Sequence, residues 1–181
     1  MLIDAGRSVL LVSDMQEKLL PAIHDHGTLM DSVSWLVRAA QRIGVPVAAV
    51  EQYPKGLGRL ASPIRDLLPE AAVAQKTHFS CVAAQCLGEL PGADRAQVVI
   101  AGIETHVCVL QTALELTEEG KDVYVVADAV GSRRAHDRDL ALWRLRQEGV
   151  RIVSREMVVF EWLGDASTPL FKDVSREFLK G

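Results

Sequence analysis

The sequence has no apolar run approaching the length of a membrane span, so no membrane partner is expected. Its opening residues, Met1 to Arg7, lack the basic segment and following apolar stretch of an export signal, and a cytoplasmic setting is the expectation. Cysteine is scarce and odd in number, three in 181 residues, and a chain of that length buries a core without disulfide staples. Free thiols in a reducing compartment follow from that reading. A strong excess of one charge is missing too. The formal net charge is −4, with acids and bases interspersed, which argues against a nucleic-acid partner. His24, His26, His78, His106 and His136 show no paired ligand spacing, so no metal is expected. Gly56-x-Gly58 lacks the third glycine of a dinucleotide fingerprint, and there is no Walker loop and no G-x-S-x-G elbow, so no cofactor is expected. Internal repeats, low-complexity segments and linkers are absent, and residues 1–181 read as a single domain.

What is present is an alternation of strand-like and helix-like segments. Strands are expected at Ser8–Asp14, Val45–Val50, Val73–Lys76, Gln97–Ala101, Asp122–Asp128 and Val150–Ser154. Between and after them, helices are expected at Leu29–Ile43, Val82–Leu90, Cys108–Glu119, Ala135–Glu148 and Pro169–Leu179, with a Pro/Gly loop over Tyr53–Pro63. Several strands are continuous apolar runs, the pattern of strands covered on both faces. The fold class is therefore α/β: a three-layer α/β/α sandwich around a six-stranded, mainly parallel sheet. In such sheets ligands bind beyond the carboxyl ends of the strands.

Three chemically capable residues end apolar runs in equivalent places: Asp14 after Val9–Val12, Lys76 after Val73-Ala74, and Cys108 shortly after Gln97–Ala101. A helix N-terminus and a nearby ammonium are expected to favour the Cys108 thiolate. Asp14 could take the thiol proton and return it to a leaving amine, and backbone N–H groups in the turn before Cys108 could hold an oxyanion. That arrangement suits attack on an amide-like carbonyl of a small molecule through an acyl-thioester. Gln16, Glu51, Tyr53 and Phe79 are candidates for lining the pocket, with helix capping (Gln16) or loop and rim positions as the plainer alternative. Cys81 and Cys86 lack a CxxC pattern and read as ordinary small side chains.

The segments Leu11-Val12-Ser13-Asp14-Met15-Gln16, Lys76-Thr77-His78-Phe79-Ser80, Gly102-Ile103-Glu104-Thr105-His106-Val107-Cys108-Val109 and Asp128-Ala129-Val130 together carry a resemblance. The chain resembles, over nearly its whole length, the isochorismatase-like cysteine hydrolases, a superfamily that includes nicotinamidases and carbamoylsarcosine amidases. Glu51–Gly58 and Phe160–Asp165 are similar to the branch of isochorismatase domain-containing proteins. The resemblance implies an Asp14–Lys76–Cys108 triad, a cis peptide between Ile103 and Glu104, and an oxyanion hole made by the N–H groups of Glu104 and Cys108. It also implies a homo-oligomer. Two departures narrow the chemistry. Nicotinamidases carry metal-binding Asp-x-His after the second strand, where this chain has Glu51, Gln52 and Tyr53; and Cys108 points away from the vinyl-ether hydrolysis of true isochorismatases, which lack the cysteine.

A non-catalytic scaffold and a thiol redox sensor are the rival readings on the same fold. Met157-Val158-Val159-Phe160-Glu161-Trp162-Leu163 follows the last expected strand and is rich in large apolar groups, so it is expected to be exposed and to form the interface of a dimer or higher oligomer.

Overall fold

In the computed structural model, which describes residues 1–179, six strands form one sheet in the order β3-β2-β1-β4-β5-β6. They are β1 (Ser8–Ser13), β2 (Val47–Gln52), β3 (Val73–Lys76), β4 (Gln97–Ile103), β5 (Asp122–Gly131) and β6 (Arg151–Val153), and every neighbouring pair is parallel. Side chains alternate between the two faces of the sheet, as the period of two requires. Leu10, Val12, Ala49, Val99, Ala101, Tyr124 and Val126 point to one core; Val9, Leu11, Ala48, Val50, Val98, Ile100, Val123 and Val125 point to the other. Both faces being apolar is why the strands read as unbroken hydrophobic runs. Each fully buried Leu, Ile or Val side chain contributes about 1.5–3 kcal/mol.

The first core is covered by α1 (His26–Ile43), α3 (Ser62–Arg65), α6 (Arg155–Leu163) and α7 (Pro169–Phe178), the second by α4 (Leu110–Glu118) and α5 (Ala135–Gln147). Helix α1 buries Leu29, Val33, Leu36, Val37 and Ala40 on one stripe and is stopped by Gly44, whose φ of +91° suits glycine. Ser154 and Thr168 accept backbone N–H bonds at the starts of α6 and α7.

Several sequence expectations change. The Tyr53–Pro63 loop holds two single-turn helices, α2 (Pro54–Leu57) and α3, each with proline in its first turn. The helix expected over Val82–Leu90 does not form: Gln85 takes a left-handed φ of +52° and ends the turn that begins at Ser80. Cys108 does not open its helix. A π-helical turn over Thr105–Val109 precedes α4, so the thiol sits inside that turn. Strand β5 runs on to Gly131 through a register shift against β4 between Ile100 and Gly102. The segment expected to lie exposed is helix α6: Val158, Val159 and Trp162 are buried in the first core, and only Met157 and Phe160 are largely exposed. Among the described residues, no helix is long and apolar enough to cross a membrane.

Candidate active site

The strand order reverses between β1 and β4, and crevices at such points are where open α/β sheets bind ligands. The chain leaves β1 at Asp14, which adopts a left-handed φ of +53° and donates its N–H to Val50 O at 3.1 Å. Aspartate tolerates that conformation better than most residues. On the other side of the crevice, Gly102 is level with Ser13. Its φ is +108°, and a Cβ there would run into the Ser13 backbone, so only glycine lets the two strand ends approach. The peptide between Ile103 and Glu104 is cis, and the turn carrying Cys108 follows.

Lys76 ends β3, two strands away from β1, roughly 10 Å at ordinary strand spacing. Its long stem spans that gap over β2. The ammonium donates to Gln52 Oε1 at 2.7 Å and to Asp14 Oδ2 at 2.9 Å, with both members of the Lys76–Asp14 pair almost wholly buried. Ser13 Oγ donates to the same carboxylate oxygen at 3.2 Å. Asp14 Oδ1 has no partner of regular hydrogen-bond geometry, although the Cys108 thiol lies near enough to interact with the carboxylate. The structure thus brings together all three strand-end residues.

The electrostatics differ from the sequence expectation. Burial and the neighbouring Asp14 charge push the Cys108 thiol up to about 12, outweighing the help of Lys76. Burial also raises the Asp14 carboxyl, against the pull of Lys76. For Lys76, burial favours the neutral amine, but Asp14 and Cys108 together carry the ammonium above its ordinary value. The resting form is a protonated thiol beside a buried ion pair.

The candidate pocket residues separate into two kinds. Tyr53 and Phe79 are each 52% exposed beyond the ends of β2 and β3. Gln16 and Glu51 are buried and anchor a loop. Gln16 accepts from Gln52 N and donates to Gln52 O and Gly58 O, while Glu51 accepts from Arg59 Nε and Leu60 N. They clamp the 52–60 loop, and Glu51 Oε2 is left buried without a partner. The Glu104 side chain is likewise engaged, held by Arg133 Nε and Nη2 at 3.1 and 2.6 Å; burial opposes its ionisation, but Arg133 keeps the carboxyl below its ordinary range.

Gln52 and Thr105 were not singled out from the sequence. Gln52 ends β2 in register with Lys76, the same strand-end signal that marked Asp14 and Lys76. Thr105 is fully buried in the Cys108 turn, and its hydroxyl has no partner; nothing in the sequence distinguishes it. As for a metal, Glu51 Oε1 is committed to Arg59 and Leu60, Gln52 to Lys76, and Tyr53 points outward; Glu51 Oε2 is buried without a partner, but one free carboxylate oxygen falls short of a metal's ligand set. Among the described residues, no group of three or more His, Cys, Asp or Glu is placed to hold one.

The sequence model of the isochorismatase domain matches residues 8–157. The chain belongs to the isochorismatase family. It is similar to isochorismatase domain-containing protein 1 of Danio rerio, 41% identical over 170 residues, covering 92% of this chain and 59% of that protein. The chain therefore spans about three-fifths of that relative's length. Among solved structures, the MAR1 ribonuclease from Caenorhabditis elegans superposes with a TM-score of 0.88 at 33% identity, covering 100% of this chain and 94% of that one. The YcaC gene product of Escherichia coli, described as an octameric hydrolase of unknown specificity, superposes with a TM-score of 0.88 at 24% identity over 99% of this chain and 93% of that one, a likeness of fold alone. Membership of this family supports a hydrolase.

Proposed function

We propose that this protein is a cysteine-dependent hydrolase of a small amide-like substrate. The observation that carries the reading is a thiol, a carboxylate and an ammonium buried together at the β1/β4 switch point. A thiol with a pKa near 12 is a poor nucleophile at rest, so the proton must leave as the bond forms. Asp14 accepts it, and Lys76 remains as the countercharge. The thiolate adds to the carbonyl, and the oxyanion is received by the backbone N–H groups of Glu104 and Cys108; the Glu104 side chain is already taken by Arg133. Collapse expels the amine, which leaves with the proton held by Asp14. Water, deprotonated by Asp14, then cleaves the thioester and restores the thiol. Tyr53 and Phe79 form the rim of the entrance.

Three free thiols fit a reducing, cytoplasmic setting. A homo-oligomer is the assembly we favour, with Met157 and Phe160 on the outer side of α6 as part of its contact surface. The test is intact-protein mass after incubation with a panel of small amides and esters. An acyl adduct that maps to Cys108 and disappears in Cys108→Ala is the expected result. Turnover that persists in Cys108→Ala would remove the thiol from the mechanism.

A further inference from the structure

The segment after Lys76 contains a helix cap that pairs the other two cysteines. Ser80 Oγ accepts from Val82 N and Ala83 N at 3.1 and 3.3 Å and starts a single helical turn, closed by Ala84 N to Ser80 O at 3.1 Å. Gln85 then takes the left-handed conformation, with φ of +52°. Its N–H bonds back to Val82 O at 2.8 Å, and the N–H of Cys86 bonds to Cys81 O at 3.3 Å. These are the two backward bonds of a Schellman motif, and in that motif the side chains at C3 and C″ are brought into contact. Here both positions are cysteine. The Cys86 thiol donates to Cys81 O at 3.6 Å, and the two thiols lie close enough to shift one another's ionisation.

We propose that Cys81 and Cys86 form a dithiol site that a peroxide oxidises to an intramolecular disulfide. Cys86 is the attacking group because it is partly exposed, whereas Cys81 is fully buried. Its thiol is also the easier of the two to ionise: the neighbouring Cys81 thiol pulls it below its ordinary value, against burial. The Cys86 thiolate displaces hydroxide from hydrogen peroxide and becomes a sulfenic acid. The Cys81 sulfur then attacks the Cys86 sulfur, the S–S bond forms, and water leaves with the Cys81 proton. Two thiols are oxidised and one peroxide is reduced to two waters. The cap ties onto α4, the helix that continues the Cys108 turn: Cys81 N donates to Thr112 Oγ1 at 3.1 Å and Ser80 Oγ to Glu115 Oε2 at 2.6 Å. Cys81 also lines an apolar cavity of about 330 Å³ with Val9, Leu11, Leu90 and Leu116, which none of Asp14, Lys76 and Cys108 borders.

The experiment treats the reduced, full-length protein with a small molar excess of hydrogen peroxide, alkylates the remaining thiols and maps the peptides. The expected product lacks a pair of hydrogens in the peptide bearing Cys81 and Cys86, keeps Cys108 alkylatable, and reverts with dithiothreitol. In Cys81→Ala the sulfenic acid should persist at Cys86 and be captured by dimedone; in Cys86→Ser the peptide should stay reduced. Cys86 driven to sulfinic acid in the wild type without a disulfide, a bridge to Cys108, or no reaction at peroxide levels that oxidise a control cysteine peptide would each overturn the proposal. The wild-type map decides it even where a variant fails to fold.

Discussion

Cys108 and Cys86 are thiols of one chain placed in opposite environments. Cys108 is walled in beside a carboxylate, so its proton is held up to about 12 despite a lysine within reach. Cys86 sits in a surface cap, where a neighbouring thiol eases its ionisation. The comparison teaches that a nucleophile served by its own base does not need a low pKa at rest. It needs a place for the proton when substrate arrives, and burial keeps other electrophiles from using it beforehand. Reactivity toward general reagents and reactivity toward the substrate are therefore expected to separate between the two sites.

The most complete separation is expected on removing the sulfur. Cys108→Ala should abolish acyl-adduct formation altogether, while Cys86→Ala leaves it in place, both read by intact mass. An adduct that follows Cys86 would reverse the assignment of the two sites.

Next in size is the loss of the countercharge. Lys76→Met leaves Asp14 buried without its partner, and breaking such a pair costs about 3–5 kcal/mol. Urea unfolding checks this, and pH sharpens it. In the wild type Lys76 is raised, so its contribution is present below its ordinary value of 10.5 and is lost as pH climbs through the folded value. In the variant, burial acts on Asp14 with only the Ser13 hydroxyl and the Cys108 thiol opposing it, and a raised carboxyl is tolerated in its neutral form. The deficit should be largest at neutral pH and shrink as acid protonates Asp14. A deficit that grows in acid would mean that Asp14 is not the group left stranded.

The contrast between the two sulfurs can be measured directly by iodoacetamide labelling. At pH 7 a thiol held up to about 12 has a far smaller thiolate fraction than one pulled below its ordinary value, and the stronger nucleophilicity of the more basic thiolate returns only part of that. Cys86 should label at least about tenfold faster than Cys108. The Cys108 rate should climb about tenfold per pH unit without levelling below pH 10, whereas the Cys86 rate levels earlier. Equal rates, or a Cys108 plateau near neutrality, would show that the thiolate is stabilised at rest.

The smallest expected effect belongs to the residue that steadies the lysine. Gln52→Leu removes an acceptor from a buried ammonium and should cost about 1.5–3 kcal/mol in urea unfolding, with the labelling rate of Cys86 unchanged. A loss of less than a few tenths of a kcal/mol would mean that Asp14 alone positions Lys76.

Much of this was legible along the chain. The unbroken apolar runs at Val9–Val12 and Val98–Ala101 reflect strands covered on both faces, and Gly44 marked the end of α1 because few other residues accept its conformation. Asp14, Lys76 and Cys108 stood out because each follows a strand. From the sequence, helix α6 reads as a surface patch because its buried face, Val158, Val159 and Trp162, spans little more than one turn. The pairing of Cys81 with Cys86 is not legible in the sequence because it depends on a left-handed residue at Gln85, a position where glycine or asparagine is the usual signal.

Period, capping and motif are local properties, and the parallel α/β sheet, the strand ends that carry the reactive groups and the family follow from them. What those groups are to one another depends on how the strands pack. Lys76 reaches Asp14 across β2 by way of Gln52, Gln16 and Glu51 are spent on holding a loop, and Cys108 is buried beside a carboxylate and keeps its proton. Charge and desolvation act through space between residues far apart in the chain, and their balance is set once the strands lie side by side.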